Sequence, residues 1–279
     1  MSSNAALQRV RRMLDASKAG HVGSLDPLAT GMLPICLGEA TKIAGEIVGG
    51  RKRYGFTIGL GARTTTGDRE GVVIERTVVP ALTAAEVEVV LRRFLGRQKQ
   101  VPPMFSALKR EGRPLYQLAR AGLEVERAPR EIEISELQLR SLGPDTVSLE
   151  ALCSKGTYVR SLAEDISRAL GTCGHVTELR RIHVEPFGNE PMETLESVDA
   201  ALSAGRLPRI LAADQALPHL SAFRLDAAGA VRIGHGQSVS AHESVRAGRV
   251  RLYDPAGQFL GIGESDGAGT VRPRRLFVQ

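Results

Sequence analysis

The feature that most limits the fold is a pair of alternating segments on either side of a turn. Apolar and polar residues alternate from Glu131 to Leu142 and again from Val147 to Cys153, the period of a strand with one buried face. The intervening Gly143-Pro144-Asp145 is a turn sequence. An antiparallel hairpin is therefore predicted, and the same alternation from Tyr54 to Leu60 predicts a further strand of the sheet.

Helical periodicity elsewhere in the chain adds helices to this sheet. A capping box of Thr83 and Glu86 opens one helix, which Gly96 is expected to stop. Other helices are predicted over 5–16, 158–170 and 195–204, and further strands over 72–78 and 175–187. The periodicity therefore predicts that both strands and helices contribute to this part of the chain.

The pattern changes near Pro218, beyond which short strands alternate with Gly-rich turns. We therefore place a domain boundary there, with residues 1–217 forming the larger domain and residues 218–279 a small β module.

Positive charge is concentrated in one part of the chain. The 279 residues carry a formal net charge of +6. Ten basic and three acidic residues lie between Arg92 and Arg130, which predicts a long excursion that closes onto a polyanion. No apolar run approaches the roughly 20 residues that span a bilayer, and the first residues have no apolar signal core. A cytoplasmic protein with no membrane contact is expected.

Several kinds of chemistry lack their usual sequence patterns. The cysteines Cys36, Cys153 and Cys173 form no CxxC pair, and the histidines form no HxH or HExxH arrangement, so neither a disulfide framework nor a metal site is predicted. Gly59-Leu60-Gly61 lacks the remaining residues of a nucleotide-binding loop, and no GxSxG motif is present. ATP, NAD and acyl-transfer chemistry are therefore not expected.

Asp26 lies in a loop that glycine and proline interrupt from Lys18 to Pro34. Pro27 holds the backbone of Asp26 extended, so its side chain has few ways to turn inward. One interpretation is a helix N-cap followed by proline at the first helical position. The other is a carboxylate presented rigidly to a cleft, and the two are compatible.

Tyr54, Arg160 and His21 each allow a structural and a functional interpretation. Tyr54 follows the cationic run 51–53 and is either a core aromatic at a strand end or a ring that stacks on a base. Arg160 lies at a helix start, where the dipole favours anions, so it needs a partner, either on the surface or a buried carboxylate such as Asp26. His21 is a loop hydrogen bonder, a catalytic base or a metal ligand.

The segment from Lys18 to Lys42, KAGHVGSLDPLATGMLPICLGEATK, closely resembles the catalytic motif of the bacterial tRNA pseudouridine synthase B (TruB) family. Matching motifs cover nearly the whole chain: RKRYGFTIGLG, TTTGDREG, PPMFSALKREGRPLYQLARAG, CSKGTYVRSLAEDI, HVTELRR and FLGIGESDGAGTVRPRRLF. The resemblance implies isomerisation of the T-loop uridine of tRNA, position 55, to pseudouridine, with base flipping and no cofactor. It also implies an α+β protein: residues 1–217 would have the pseudouridine synthase fold, a mixed, mainly antiparallel sheet with flanking helices, and residues 218–279 would form a PUA-like RNA-binding β-barrel.

The resemblance also assigns roles to individual residues. Asp26 would be the nucleophile, Tyr54 the ring that stacks on the target uracil, and Arg160 the ion-pair partner of Asp26. The pocket that receives the uridine would be lined by His21, Tyr54, Tyr158 and Leu179. The loop from about Pro102 to Arg130 would fold over the T-arm of tRNA and contact it through Lys109, Arg110, Arg113 and Arg120. No metal and no obligate protein partner are implied.

These residue types suit that reaction. A base packed inside a folded RNA must be flipped out and held by stacking and edge hydrogen bonds. Moving the glycosidic bond from N1 to C5 needs an anionic group beside sugar and base, which a carboxylate supplies without a metal.

The chain starts within the first motif of the family. In the family, a segment with a strand and a Lys-Pro pair precedes this motif.

Two other functions compete with this one. A tRNA-binding or RNA-folding protein would use the basic loop and the C-terminal module without catalysis. A guide-RNA-dependent relative would act on other RNAs, but the long basic insertion from Pro102 to Arg130 disfavours it. The set of Asp26, Tyr54 and Arg160 favours the enzyme, because a pure binder does not need a buried carboxylate facing RNA phosphates.

Overall fold

A computed structural model describes residues 1–188, 190–240 and 245–277. The helices are α1 Ser3–Met13, α2 Ala44–Val48, α3 Ala84–Arg92, α4 Leu115–Arg120, α5 Val159–Ala169, α6 Leu195–Ser203 and α7 Ala227–Gly234, with short 3-10 helices at Gly38–Ile43 and Ala213–Ala216. The strands are β1 Ala19–His21, β2 Thr30–Gly31, β3 Ile35–Leu37, β4 Lys52–Leu60, β5 Ala62–Thr64, β6 Val73–Arg76, β7 Gly96–Gln100, β8 Lys109–Arg110, β9 Arg113–Pro114, β10 Arg130–Leu142, β11 Thr146–Cys153, β12 Gly174–Val184, β13 Ser221–Arg224, β14 Val239–Ser240, β15 Gly248–Tyr253, β16 Phe259–Ser265 and β17 Thr270–Leu276.

The chain forms two compact units that are not continuous in sequence. The first consists of residues 25–32 and 49–185 together with Met1, and the second of residues 2–24, 33–48 and the described residues from 186 onward. None of the described helices combines the length and the apolar character that crossing a membrane requires.

A six-stranded sheet in the order β2-β12-β4-β11-β10-β7 forms the centre of the first unit. The β2–β12 pair is parallel and the other neighbours are antiparallel, so the predicted mixed, mainly antiparallel sheet with flanking helices is confirmed. Helices α3 and α5 cover the sheet through Leu91 and Ile166, which pack in one core with Ile58 and Leu149. Burial of these side chains is the main stabilising contribution to the unit.

The second unit contains α1, the antiparallel pair β1–β3, and a five-stranded sheet in the order β13-β15-β16-β17-β14. The core of this sheet includes Ile233 of α7, Leu252 and Val271. All five strands lie between Ser221 and Leu276, which fits the small C-terminal β module expected from the sequence. The exact domain boundary near Pro218 stays a prediction.

Most long elements match their predicted positions, including the capping box of α3 and the hairpin β10–β11. Four details of the prediction were wrong. The loop from Lys18 to Pro34 contains the short strands β1, which pairs with the nearby β3, and β2, which pairs with the distant β12. Asp26 begins a turn, in which its carbonyl accepts from Ala29 N at 2.9 Å, and it does not cap a helix. Gly96 starts β7 instead of ending α3, and α7 was not foreseen.

Candidate active site

Asp26 and Arg160 form a two-pronged ion pair in the first unit. Arg160 Nε donates to Asp26 Oδ2 at 2.8 Å, and Arg160 Nη2 donates to Oδ1 at 2.9 Å. The Arg160 side chain is 5% exposed, whereas that of Asp26 is 33% exposed. A bidentate pair of this kind fixes orientation as well as charge. The guanidinium therefore holds the carboxylate from the protein side and leaves a third of its surface open.

The turn that carries Asp26 is anchored to strand β12. Directly after the turn, Thr30 pairs in parallel with Arg180, and Met32 N donates to the Arg181 carbonyl at 2.8 Å. Gly31 has φ +98°, and a Cβ at that position would lie 2.2 Å from the Arg181 oxygen. Only glycine permits this close approach, so the local sequence Thr30-Gly31 ties the Asp26 turn to the sheet.

Arg160 also donates to two backbone carbonyls. Its Nη1 donates to Thr66 O at 2.8 Å, and its Nη2 donates to Phe105 O at 2.9 Å. A second carboxylate, the buried Asp68, lies with its Oδ2 3.8 Å from Arg160 Nε and accepts a hydrogen bond from Thr66 Oγ1 on its other oxygen. Arg160 thus connects the Asp26 turn, the turn at Thr66 and the segment that contains Phe105.

Helix α5, which carries Arg160, begins without a side-chain cap. Its N-cap residue is Tyr158, whose side chain makes no capping hydrogen bond. The buried side-chain amide of Gln100 bonds the Tyr158 backbone instead. Tyr158 N donates to Gln100 Oε1 at 2.8 Å, and Gln100 Nε2 donates to Tyr158 O at 3.0 Å.

Two tyrosines interact with the Asp26 charge. Burial raises the pKa of the Tyr54 hydroxyl above its ordinary value, Arg181 partly offsets this, and the Asp26 carboxylate raises the pKa further. Burial is also the main cause of the raised pKa of Tyr158, to which Asp26 adds. Both phenols are therefore neutral at physiological pH. Leu179 of β12 is buried in the same core, where its register partner is Phe56 of β4.

The cations predicted to contact RNA lie on exposed elements between β7 and β10. Lys109 and Arg110 form β8, Arg113 is in β9 and Arg120 is the last residue of α4. Arg110 Nη1 donates to the Glu126 carbonyl at 2.8 Å, and the Arg120 guanidinium lies 5.6 Å from the centre of the Tyr116 ring. These contacts leave the loop strongly basic.

The structure brings together five of the predicted site residues in the first unit: Asp26, Tyr54, Tyr158, Arg160 and Leu179. His21 lies on β1 of the second unit, opposite Ile35.

Sequence reasoning missed three buried polar groups around the Asp26–Arg160 pair: Asp68, Gln100 and Arg181. Asp68 lies in the TTTGDREG motif and Arg181 in the HVTELRR motif. The motifs therefore include both residues, but they do not indicate which groups the two side chains contact. Arg181 is 1% exposed and its Nε donates to Met32 O at 2.7 Å. No spacing rule indicated Gln100, because its partner is a backbone group 58 residues away.

Comparison with known proteins covers almost the entire chain. Residues 11–159 match the family described as TruB family pseudouridylate synthase (N terminal domain). Residues 160–214 match the tRNA pseudouridylate synthase B C-terminal domain, and residues 221–277 match Pseudouridine synthase II TruB, C-terminal.

Curated relatives are similar over nearly the whole of this chain. The tRNA pseudouridine synthase B of Stutzerimonas stutzeri is 48% identical over 280 residues, which cover 99% of this chain and 92% of that protein. The protein of the same name from Hydrogenovibrio crunogenus is 46% identical over 278 residues, covering 99% of this chain and 90% of that protein.

Solved structures show the same fold at low sequence identity. An H/ACA RNP bound to a substrate RNA containing 2′-deoxyuridine has a chain with a TM-score of 0.73 and 19% identity, with coverage of 100% of this chain and 82% of that one. A Cbf5-Nop10-Gar1 complex gives a TM-score of 0.73 at 21% identity, with coverage of 100% and 80%.

Proposed function

Because the chain belongs to the TruB family of pseudouridine synthases, we propose that its target is the T-loop uridine of tRNA and that Asp26 is its nucleophile. The protein is an isomerase that converts uridine in tRNA to pseudouridine. The observation that carries the assignment of Asp26 is its bidentate pairing with the buried Arg160.

The reaction moves one bond and exchanges one proton, with no net release. The C1′–N1 bond of the uridine breaks, the base turns, C1′ bonds to C5, and C5 loses its proton while N1 gains one. An ionised carboxylate beside the sugar and base supplies the nucleophile without a metal or cofactor. Arg160 bonds both Asp26 oxygens, and this rigid hold fixes the direction of attack.

The apolar and aromatic groups near Asp26 suit a flipped base. Tyr54 presents a ring for stacking, and Leu179 and Tyr158 supply further pocket wall. Since burial raises the pKa of Tyr54, its phenol stays neutral and keeps a proton that it can donate in a hydrogen bond. The role that the family resemblance implies for His21 stays a prediction.

The exposed basic loop from about Pro102 to Arg130 supports binding of the T-arm. Its cations Lys109, Arg110, Arg113 and Arg120 are available for phosphates, which dominate the affinity of proteins for nucleic acids. We assign residues 1–217 to the catalytic domain and residues 218–279 to a PUA-like RNA-binding domain. Because the substrate is tRNA, we place the protein in the bacterial cytoplasm.

The test is tritium release from a tRNA transcript labelled at uridine C5, because C5 must lose its proton in this isomerisation. Wild type should release one equivalent from the T-loop position, and Asp26→Asn should release none while still binding tRNA. Asp165→Asn, which changes an exposed carboxylate paired with Arg168, is the matched control and should react like wild type. No release by a folded, tRNA-binding wild type would support the binding protein instead.

A further inference from the structure

Gln100 is a buried amide whose hydrogen bonds hold the start of the helix that carries Arg160. Its side chain is 4% exposed and forms two hydrogen bonds with the backbone of Tyr158. The amide accepts from the N–H and donates to the carbonyl, the same pair of bonds that a residue of an adjacent β-strand would form. Both partners are backbone groups of a residue that also contributes a side chain to the proposed uridine pocket. The amide therefore fixes a residue of the site without itself facing the Asp26 carboxylate.

The sequence around Tyr158 does not define where α5 begins. N-caps are usually Ser, Thr, Asp or Asn, yet Tyr158 occupies this position and its side chain makes no capping bond. A helix turns by about 100° per residue, so a slip of one residue would redirect Arg160 away from Asp26. Gln100 supplies from a distant strand the hydrogen bonds that define the helix start.

Gln100 also stands where the basic loop leaves the sheet. It is the last residue of β7, and its register partner Arg130 is the first residue of β10, so the two residues form the base of the loop. The next residue, Val101, accepts from Ser161 Oγ at 3.1 Å, and Phe105 accepts from Arg160. The first part of the loop is thus joined to the start of α5 by hydrogen bonds at Gln100, Val101 and Phe105.

We propose that Gln100 is a positioning residue for catalysis, which sets the start of α5 so that Arg160 and Tyr158 keep their geometry beside Asp26 when the loop engages RNA. This rests on the proposed function of the Asp26 site. Gln100 acts through Tyr158 and Arg160, so its loss slows the chemical step and leaves tRNA affinity nearly intact.

The test compares Gln100→Met with Gln98→Met in single-turnover tritium release. Methionine keeps the length and burial of glutamine but can make neither hydrogen bond to the Tyr158 backbone. Gln98 is the matched control because it lies on the same strand and its amide donates to the Phe94 carbonyl, away from α5. Affinity for unlabelled tRNA is measured separately by filter binding, and folding by thermal unfolding.

We expect Gln100→Met to lower the single-turnover rate constant by about 10- to 100-fold, as misplacement of reacting groups does. The reaction amplitude should stay complete and the Kd for tRNA within about threefold of wild type. Gln98→Met should match wild type in all three quantities. A purely structural role would lower the amplitude or the melting temperature and leave the rate constant of the folded enzyme unchanged.

A second variant covers the case in which Gln100→Met does not fold. Gln100→Asn keeps the amide but is one methylene shorter, so it cannot reach both backbone groups of Tyr158, and it should show the same fall in rate constant. The proposal is overturned if the folded Gln100 variants react as fast as Gln98→Met, or if they lose only amplitude or affinity. Failure of the proposed function itself is distinct, because wild type would then release no tritium.

Discussion

Arg160 Nη2 donates both to Asp26 Oδ1 and to the carbonyl oxygen of Phe105, at 2.9 Å in each case. One guanidinium nitrogen therefore touches the proposed nucleophile and the first residues of the basic loop. A shift of the Phe105 backbone would strain or release a hydrogen bond of the group that orients Asp26.

Replacing Arg160 tests this arrangement. Arg160→Lys keeps the charge but cannot reach both Asp26 oxygens and two carbonyls from a single ammonium. We expect it to lower the single-turnover rate constant by about 100-fold or more. Arg160→Met should also reduce the free energy of unfolding, because it leaves the buried Asp68 without its cation.

Urea unfolding and single-turnover tritium release measure the two effects. Arg168→Lys is the control, since Arg168 pairs with Asp165 on the exposed side of α5, where such pairs contribute about 0–1 kcal/mol. A rate for Arg160→Lys equal to that of the control would contradict the bidentate role.

Arg113→Ala should weaken tRNA binding and reduce its salt dependence. The plot of log K against log salt concentration has a negative slope, and each lost phosphate contact reduces the magnitude of that slope by about 0.7–0.9. Arg110→Ala should have a similar effect, and it also removes the hydrogen bond to the Glu126 carbonyl. Affinities measured over a series of salt concentrations would refute the role of the loop if the slopes equal those of wild type and of Arg168→Ala.

Glu164 should make stability depend on pH in a defined direction. Burial raises the pKa of this half-buried carboxyl above 4.5, with Arg63 only partly opposing the shift. The folded state therefore holds the proton more tightly than the unfolded state, and stability is lost as pH rises from 4.5 through the folded pKa.

Glu164→Gln cannot lose a proton, so its melting temperature relative to wild type should increase as pH rises from about 4 to 7. Glu88→Gln, which changes an exposed carboxyl of α3, is the control. If the difference in melting temperature between Glu164→Gln and wild type is constant over this pH range, the raised pKa of Glu164 is contradicted.

Gly31→Ala should destabilise the protein strongly. The new Cβ would meet the Arg181 carbonyl, and the residue has φ +98°. Gly156→Ala separates these two causes, because Gly156 has φ +82° with open space around its Cβ position. We expect Gly156→Ala to cost about 1–2 kcal/mol from backbone strain alone and Gly31→Ala to cost clearly more in urea unfolding. Equal losses would mean that the contact with Arg181 relaxes freely.

Local signals predicted the elements whose partners lie nearby in sequence. The capping box of Thr83 and Glu86 and the turn at Gly143 are complete within a few residues, so α3 and the β10–β11 hairpin could be placed from sequence alone. Strand β2 has two residues and exists only because it pairs with β12. Nothing in its own sequence distinguishes it from a loop.

In the candidate site, too, features defined by local sequence could be predicted and contacts between distant residues could not. The motif around Asp26 and the placement of Arg160 at a helix start were visible in the sequence, and the structure supplies their contact. The sequence Asp26-Pro27 is typical of a helix N-cap, but the chain enters β2 after a single turn, so no helix follows it. Gln100 escapes prediction because its backbone partner lies 58 residues away, so no local spacing marks the contact.

The paired ends of the basic loop also bear on how such an enzyme can change its substrate. Because Gln100 and Arg130 face each other across two strands, the residues between them form an insertion whose length the sheet does not dictate. Closing a longer loop costs little extra free energy. The part of this insertion beyond Phe105 can therefore be exchanged during evolution, or grafted by design, for a segment that grips a different RNA, while the catalytic chemistry beneath it is inherited unaltered.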